Sequence, residues 1–119
     1  MPRNMSFSLT TTQYRRRTKT VTRRVGWGFL KPGDIFNGCE KCMGLKKGEK
    51  VVVMGQNKTL STRWEPLRRL IDDPEYGQEE VAKEGFPWMT PQQFVDFFCS
   101  THAGCTPNTD VNRIEFEYL

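Results

Sequence analysis

Thr18-Lys19-Thr20-Val21-Thr22-Arg23-Arg24 is the stretch on which the reading of this chain turns. Four of its residues, Thr18, Thr20, Val21 and Thr22, are β-branched, and their stiff side chains suit a pleated strand better than a helix. A strand is therefore expected from about Thr20 to Val25. On its amino-terminal side, Thr10-Thr11-Thr12-Gln13 has the Ser/Thr-x-x-Gln pattern of a capping box, which predicts a short helix through Tyr14 to Arg17. Before that, Phe7 and Leu9 alternate with Ser6 and Ser8 as a short strand would. On the other side, Gly26 and Gly28 interrupt the strand around Trp27. Lys31-Pro32-Gly33-Asp34 then carries the proline and glycine of a type II turn entering a strand at Ile35-Phe36.

Further along, Asn37-Gly38 signals a turn, and Gly44 to Gly48 a polar loop leading into a strand from Lys50 to Met54. Gly55-Gln56-Asn57-Lys58 predicts a hairpin connection to Thr59–Trp64, whose Leu60, Thr62 and Trp64 share a face. A short helix is expected over Gln78–Glu84, stopped by Gly85. Thr90-Pro91-Gln92-Gln93 starts another, with Thr as N-cap and Pro at the first helical position, and Gly104 is expected to end it. Its Phe94, Phe97 and Phe98 fall on one face. Ile114, Phe116 and Tyr118 alternate with charged residues as a closing strand. These elements add up to one α+β domain over residues 1–119, barrel-like, with five or six short strands and three short helices.

The chain has 119 residues, 36% hydrophobic and 27% charged, enough apolar material for one core and too much for a disordered tail. There is no run of about 18 apolar residues and no secretory signal at Met1–Met5, so a cytoplasmic protein that does not span a membrane is expected. The net charge of +4 hides a gradient. Residues 1–33 carry eight bases and no acid, residues 34–70 carry eight bases and four acids, and residues 71–119 carry two bases and ten acids. A basic amino-terminal third can face a polyanion, which makes Arg15, Arg16, Arg17 and Arg23 candidate nucleic-acid contacts. Pairing between the two halves of the chain is the alternative.

No Walker loop, dinucleotide fingerprint or histidine-based zinc hydrolase motif occurs. All four cysteines and the one histidine fall into two clusters, Cys39-Glu40-Lys41-Cys42 and Cys99-Ser100-Thr101-His102-Ala103-Gly104-Cys105. Cys39 and Cys42, with Cys99 and either His102 or Cys105, have the spacing to supply a structural zinc; reduced structural thiols or a redox pair fit the same pattern. Trp27, beside the basic strand, and Trp88, four residues beyond Glu84, are candidate stacking platforms for a base.

Lys19-Thr20-Val21-Thr22-Arg23-Arg24, Trp27, Leu30-Lys31-Pro32-Gly33-Asp34, Ala82-Lys83-Glu84-Gly85-Phe86 and Ile114-Glu115-Phe116, in that order, resemble the ASCH domain family over about residues 6–119. The resemblance implies a small PUA-like β-barrel that acts on or binds RNA and nucleobases. It implies further that the chain is similar to the small amidohydrolases that deacetylate 4-acetylcytidine, with Lys19, Thr22 and Glu84 in the catalytic positions and Arg24 at the motif's arginine. Two departures stand out: Arg17 occupies a position where the family has glycine, and Thr22 stands where most members carry glutamate, as in the amidohydrolases.

On chemical grounds, a threonine hydroxyl attacks an amide once a base removes its proton, and a lysine serves as that base when burial or nearby cations lower its pKa. A carboxylic acid such as Glu84 protonates the leaving nitrogen. In an unbroken strand Lys19 and Thr22 face opposite sides, so Lys19 must sit in the turn before the strand for the two to converge. No cofactor is required for such chemistry, and the expected partner is a modified nucleoside or RNA. The competing expectation is a non-catalytic module for RNA or single-stranded nucleic acid. No particular protein partner is indicated.

Overall fold

The computed structural model describes residues 2–42 and 44–119, and its backbone is organised by one long strand. The strands are β1 (Arg3–Ser6), β2 (Val21–Arg24), β3 (Ile35–Cys39), β4 (Val53–Pro66) and β5 (Asp110–Tyr118). They form a single sheet in the order β1-β3-β4-β5-β2, antiparallel except for the parallel pair β1 and β3. Four helices are α1 (Thr11–Arg15), α2 (Arg69–Asp72), α3 (Pro74–Lys83) and α4 (Pro91–Thr101). The expected α+β class holds, with one more helix than the sequence suggested.

β4 replaces the expected hairpin at Gly55–Lys58. Its first half pairs with β3 and its second half with β5, so the segment passes straight through. The glycines there make room for a side chain. Gly38 and Gly55 are cross-strand partners beneath Tyr14, and a Cβ at Gly38 would lie 2.3 Å from the tyrosine ring. The Tyr14 hydroxyl donates to Asn57 Oδ1 at 2.6 Å, fixing α1 on the sheet. Register shifts at Gly38/Cys39 and Thr59/Ser61 bend the sheet, as bulges do, and it curls around its core.

The first strand covers Arg3–Ser6, and Phe7 follows it as a core residue. Thr10 precedes α1 without the expected side-chain cap; Thr11 instead donates its hydroxyl to the Phe7 carbonyl at 2.9 Å. At α4 the capping box forms fully between Thr90 and Gln93, and the helix closes at Thr101, before Gly104. Lys31–Asp34 makes the expected turn, with Gly33 at φ 94° and Asp34 N–H donating to Lys31 O.

Two apolar clusters result. One gathers Met5, Phe7, Tyr14, Phe36, Ile114 and Phe116 inside the curled sheet. The other gathers Leu67, Leu70, Val81, Phe86, Phe94 and Phe98 under the helices. The candidate site lies on the seam between them. No helix among the described residues is long and apolar enough to cross a membrane.

Candidate functional site

Lys19 lies two residues before β2, so the strand's alternation does not bind it and it faces the same cavity as Thr22. The reversal after α1 uses Arg17 at φ 59°, the left-handed region that favours glycine. Thr20 N–H donates to Lys83 O at 2.8 Å and Tyr118 Oη to Lys19 O at 2.6 Å, fixing the turn between α3 and β5. Glu84 is held by the end of α3. Phe86 N–H donates to Val81 O, Gly85 N–H to Ala82 O, and Gly85 takes φ 103°, a Schellman closure that presents the Glu84 side chain to the interior.

A cavity of about 380 Å³ collects Lys19, Thr22, Arg24 and Glu84 on its polar side. Phe7, Phe86, Phe94, Phe97 and Phe98 supply an apolar roof, with His102 at its margin. The His102 ring stacks on Phe98 with centroids 4.0 Å apart. Its Nδ1 lies 2.9 Å from Phe98 O and 3.0 Å from Thr101 Oγ1.

Lys19 and Glu84 are almost wholly buried, and Lys19 Nζ donates to Glu84 Oε1 at 2.7 Å and to the Glu84 carbonyl at 2.9 Å. Burial pulls the Lys19 ammonium below the usual lysine range, against the raising effect of Glu84, and the Arg24 and Arg23 charges add to the fall. Arg24 Nε donates to Thr22 Oγ1 at 3.1 Å, and burial lowers the Arg24 guanidinium to about 10.

Arg23, on the opposite face of β2, is fully buried and cannot meet a phosphate in solvent, which corrects its expected role in nucleic-acid contact. Its Nη1 donates to Glu84 Oε2 at 3.1 Å, and its Nη2 to Glu80 Oε1 at 2.7 Å and to Glu65 Oε2 at 3.3 Å. Arg113 grips Glu80 from β5 through both Nε and Nη2. Burial alone would raise the Glu80 carboxyl, but Arg113 and Arg23 outweigh it and hold it at about 2. Lys19, Arg23 and Arg113 thus balance Glu65, Glu80 and Glu84 in the interior. The network was not anticipated, although Glu80 and Glu84, one helical turn apart at the end of a predicted helix, were a signal for it.

Other expected residues lie elsewhere. Trp27 and Trp88 do not line this cavity. Trp27, at φ 65°, packs against Phe29 and Phe36 beside a separate depression, and Trp88 is 67% exposed with its ring edge-on to Phe86. The cavity's aromatic surface comes instead from Phe7, Phe86 and the three phenylalanines of α4, whose helical spacing signalled packing alone. Arg15, Arg16 and Arg17 are exposed, and Arg15 pairs with Glu40 at 2.6 Å. Cys99 and Cys105 lie 3.8 Å apart. Burial and the neighbouring thiols push both Cys39, beside Cys42, and Cys99, beside Cys105, up to about 11. Among the described residues no three of His, Cys, Asp and Glu come together in a group that would hold a metal ion.

No family model matches the chain, and no curated protein does. A solved structure described as the crystal structure of hypothetical protein PH0355 is similar over 100% of both chains, with a TM-score of 0.67 and 15% identity. That likeness shows a shared fold for the whole of this chain.

Proposed function

We propose that the chain is a PUA-like ASCH domain whose cavity takes an acylated cytosine and hydrolyses its amide. The observation that carries this reading is the buried Lys19–Glu84 pair on the same cavity wall as the Thr22 hydroxyl. The polar side and phenylalanine roof suit a planar base with an amide on one edge.

Burial favours the neutral amine of Lys19, whose Nζ lies 2.7 Å from Glu84 Oε1, close enough for a proton to pass between the two. The pair then offers one base and one acid. Thr22 Oγ attacks the acyl carbonyl carbon while its proton passes to Lys19 Nζ. The Arg24 Nε–H bond to that oxygen steadies the charge developing there. The C–N bond breaks as the proton taken up by Lys19 passes through Glu84 to the exocyclic nitrogen, and the cytosine amine leaves. Water then attacks the threonine ester as Lys19 takes its proton, and the Thr22 oxygen leaves with that proton, releasing the acid. All of these steps use side chains of this chain and water.

Incubation with 4-acetylcytidine is expected to release cytidine and acetate in equal amounts, followed by chromatography. Unchanged substrate across neutral pH would overturn the assignment. A second reading, a non-catalytic RNA module, draws on the exposed Arg15, Arg16 and Arg17 at the end of α1. It predicts RNA binding that weakens steeply with salt and no turnover.

A further inference from the structure

Arg24 faces more than one cavity. Besides the phenylalanine-roofed one, it lines an open depression of about 740 Å³ with Arg3, Val25, Trp27 and Phe29. Lys19, Arg23 and Arg113 each have a carboxylate partner, whereas among the described residues no carboxylate lies within ion-pair distance of Arg24. Glu84, on the same cavity wall, is already shared by Lys19 and Arg23. The hydrogen bond that Arg24 makes among these residues is from Nε to Thr22, and its guanidinium carbon lies 5.0 Å from the centre of the Phe7 ring, so its two terminal amino groups have no hydrogen-bond partner among the described residues.

A guanidinium drawn partly out of water with no carboxylate in direct contact is costly, and its planar fork matches the oxygens of a phosphate. The surroundings favour the same ligand. No acidic residue lines the open depression, and Arg3 brings a second guanidinium there, 4.2 Å from the centre of the Phe29 ring. Phe29 is half exposed, its ring tilted against Trp27 with centroids 5.2 Å apart. Trp27 keeps a left-handed backbone, its carbonyl accepting from Asn112 Nδ2 at 3.1 Å, a costly conformation that holds the ring at this edge.

We propose that Arg24 holds a phosphoryl group, so that the ligand is a phosphorylated cytosine nucleotide with its base under the phenylalanine roof and its phosphate where the two cavities meet. This rests on the cytosine reading of the first cavity and deepens it from nucleoside to nucleotide. A terminal monophosphate and the phosphodiester of a strand present the same oxygens. In the second case the Trp27 and Phe29 edge is where the neighbouring base would stack.

The test is calorimetric titration of cytidine, cytidine 5′-monophosphate, a cytidine dinucleotide and inorganic phosphate into wild type, Arg24→Gln, Phe29→Ala and, as control, Lys58→Gln on the exposed side of β4. The monophosphate is expected to bind wild type and Lys58→Gln at least about tenfold more tightly than cytidine, and Arg24→Gln is expected to lose that preference, read as the ratio of the two affinities within the variant. A dinucleotide that binds more tightly still, and loses that gain in Phe29→Ala, assigns the phosphate to a strand; one that binds no better than the monophosphate assigns it to a mononucleotide. Equal affinity of wild type for cytidine and the monophosphate, a comparison that needs no variant to fold, would overturn the proposal, as would a preference that survives in Arg24→Gln. Phosphate binding lost in Arg24→Gln, with no binding of cytidine or its monophosphate, would overturn the cytosine reading and the nucleotide while leaving the anion site. Binding of none of the four would overturn both.

Discussion

Arg23→Gln is expected to destabilise the interior while altering no cavity-wall hydroxyl or amine. The guanidinium has no exposed side-chain surface and meets Glu65, Glu80 and Glu84 together. Its removal leaves a buried excess of one negative charge. Breaking a buried ion pair costs about 3 to 5 kcal/mol, and the lower end applies here because each carboxylate keeps another partner: Arg113 for Glu80, Lys19 for Glu84, Arg63 and Arg69 for Glu65. Linkage bounds the part of that cost carried by Glu80. Glu80 is held at about 2 from an ordinary 4.5, which by linkage is worth about 3 kcal/mol at neutral pH, with Arg23 sharing that effect with Arg113. Because the folded Glu80 pKa is depressed, its contribution is fully present above about pH 4.5 and is lost as pH falls toward 2. Denaturant unfolding of wild type and Arg23→Gln from pH 7 to pH 3 checks this. The gap should be about 3 kcal/mol at pH 7 and shrink on acidification. A gap below about 1 kcal/mol at pH 7, or one that widens in acid, would refute the reasoning.

Gly77→Ala should cost on the order of 3 kcal/mol, read by thermal unfolding, because its Cβ would lie 1.9 Å from the Leu70 carbonyl oxygen, which is backbone and cannot swing away. Arg17→Gly should be close to neutral, while Arg17→Val should lose about 1 to 2 kcal/mol, since a β-branched residue fits φ 59° poorly. If Lys19 is the base, kcat/KM should rise with pH through a pKa below the ordinary lysine value, because burial favours the neutral amine; a rate that rises only at or above the ordinary lysine value would count against it.

What the sequence made legible was local. The Thr90-Pro91-Gln92-Gln93 start needed no tertiary partner, and the capping box forms as read. Thr10-Thr11-Thr12-Gln13 has the same pattern, yet Thr11 takes the Phe7 carbonyl and no side-chain cap forms at Thr10, a competition the pattern does not encode. Gly38 and Gly55 looked like turn residues because turns are where glycine is commonest; here both sit in strands because Tyr14 lies on them from α1. Lys19, Thr22, Arg24 and Glu84 were singled out by a resemblance, and the fold brings them to one cavity. Arg23 was misread for a reason of alternation. In a run of charges the face of a strand decides which side chain is buried, and that face depends on α3 and β5 supplying Glu80 and Arg113 from far along the chain.

The most direct test of the account is the rate of cytidine release from 4-acetylcytidine by wild type, Thr22→Val and Lys19→Met side by side, with circular dichroism confirming that all three are folded. Turnover by wild type and a loss of at least about 10³ in each variant is the predicted result. Variants within about tenfold of an active wild type would contradict the roles assigned to Thr22 and Lys19, and a wild type that releases no cytidine would contradict the reaction itself.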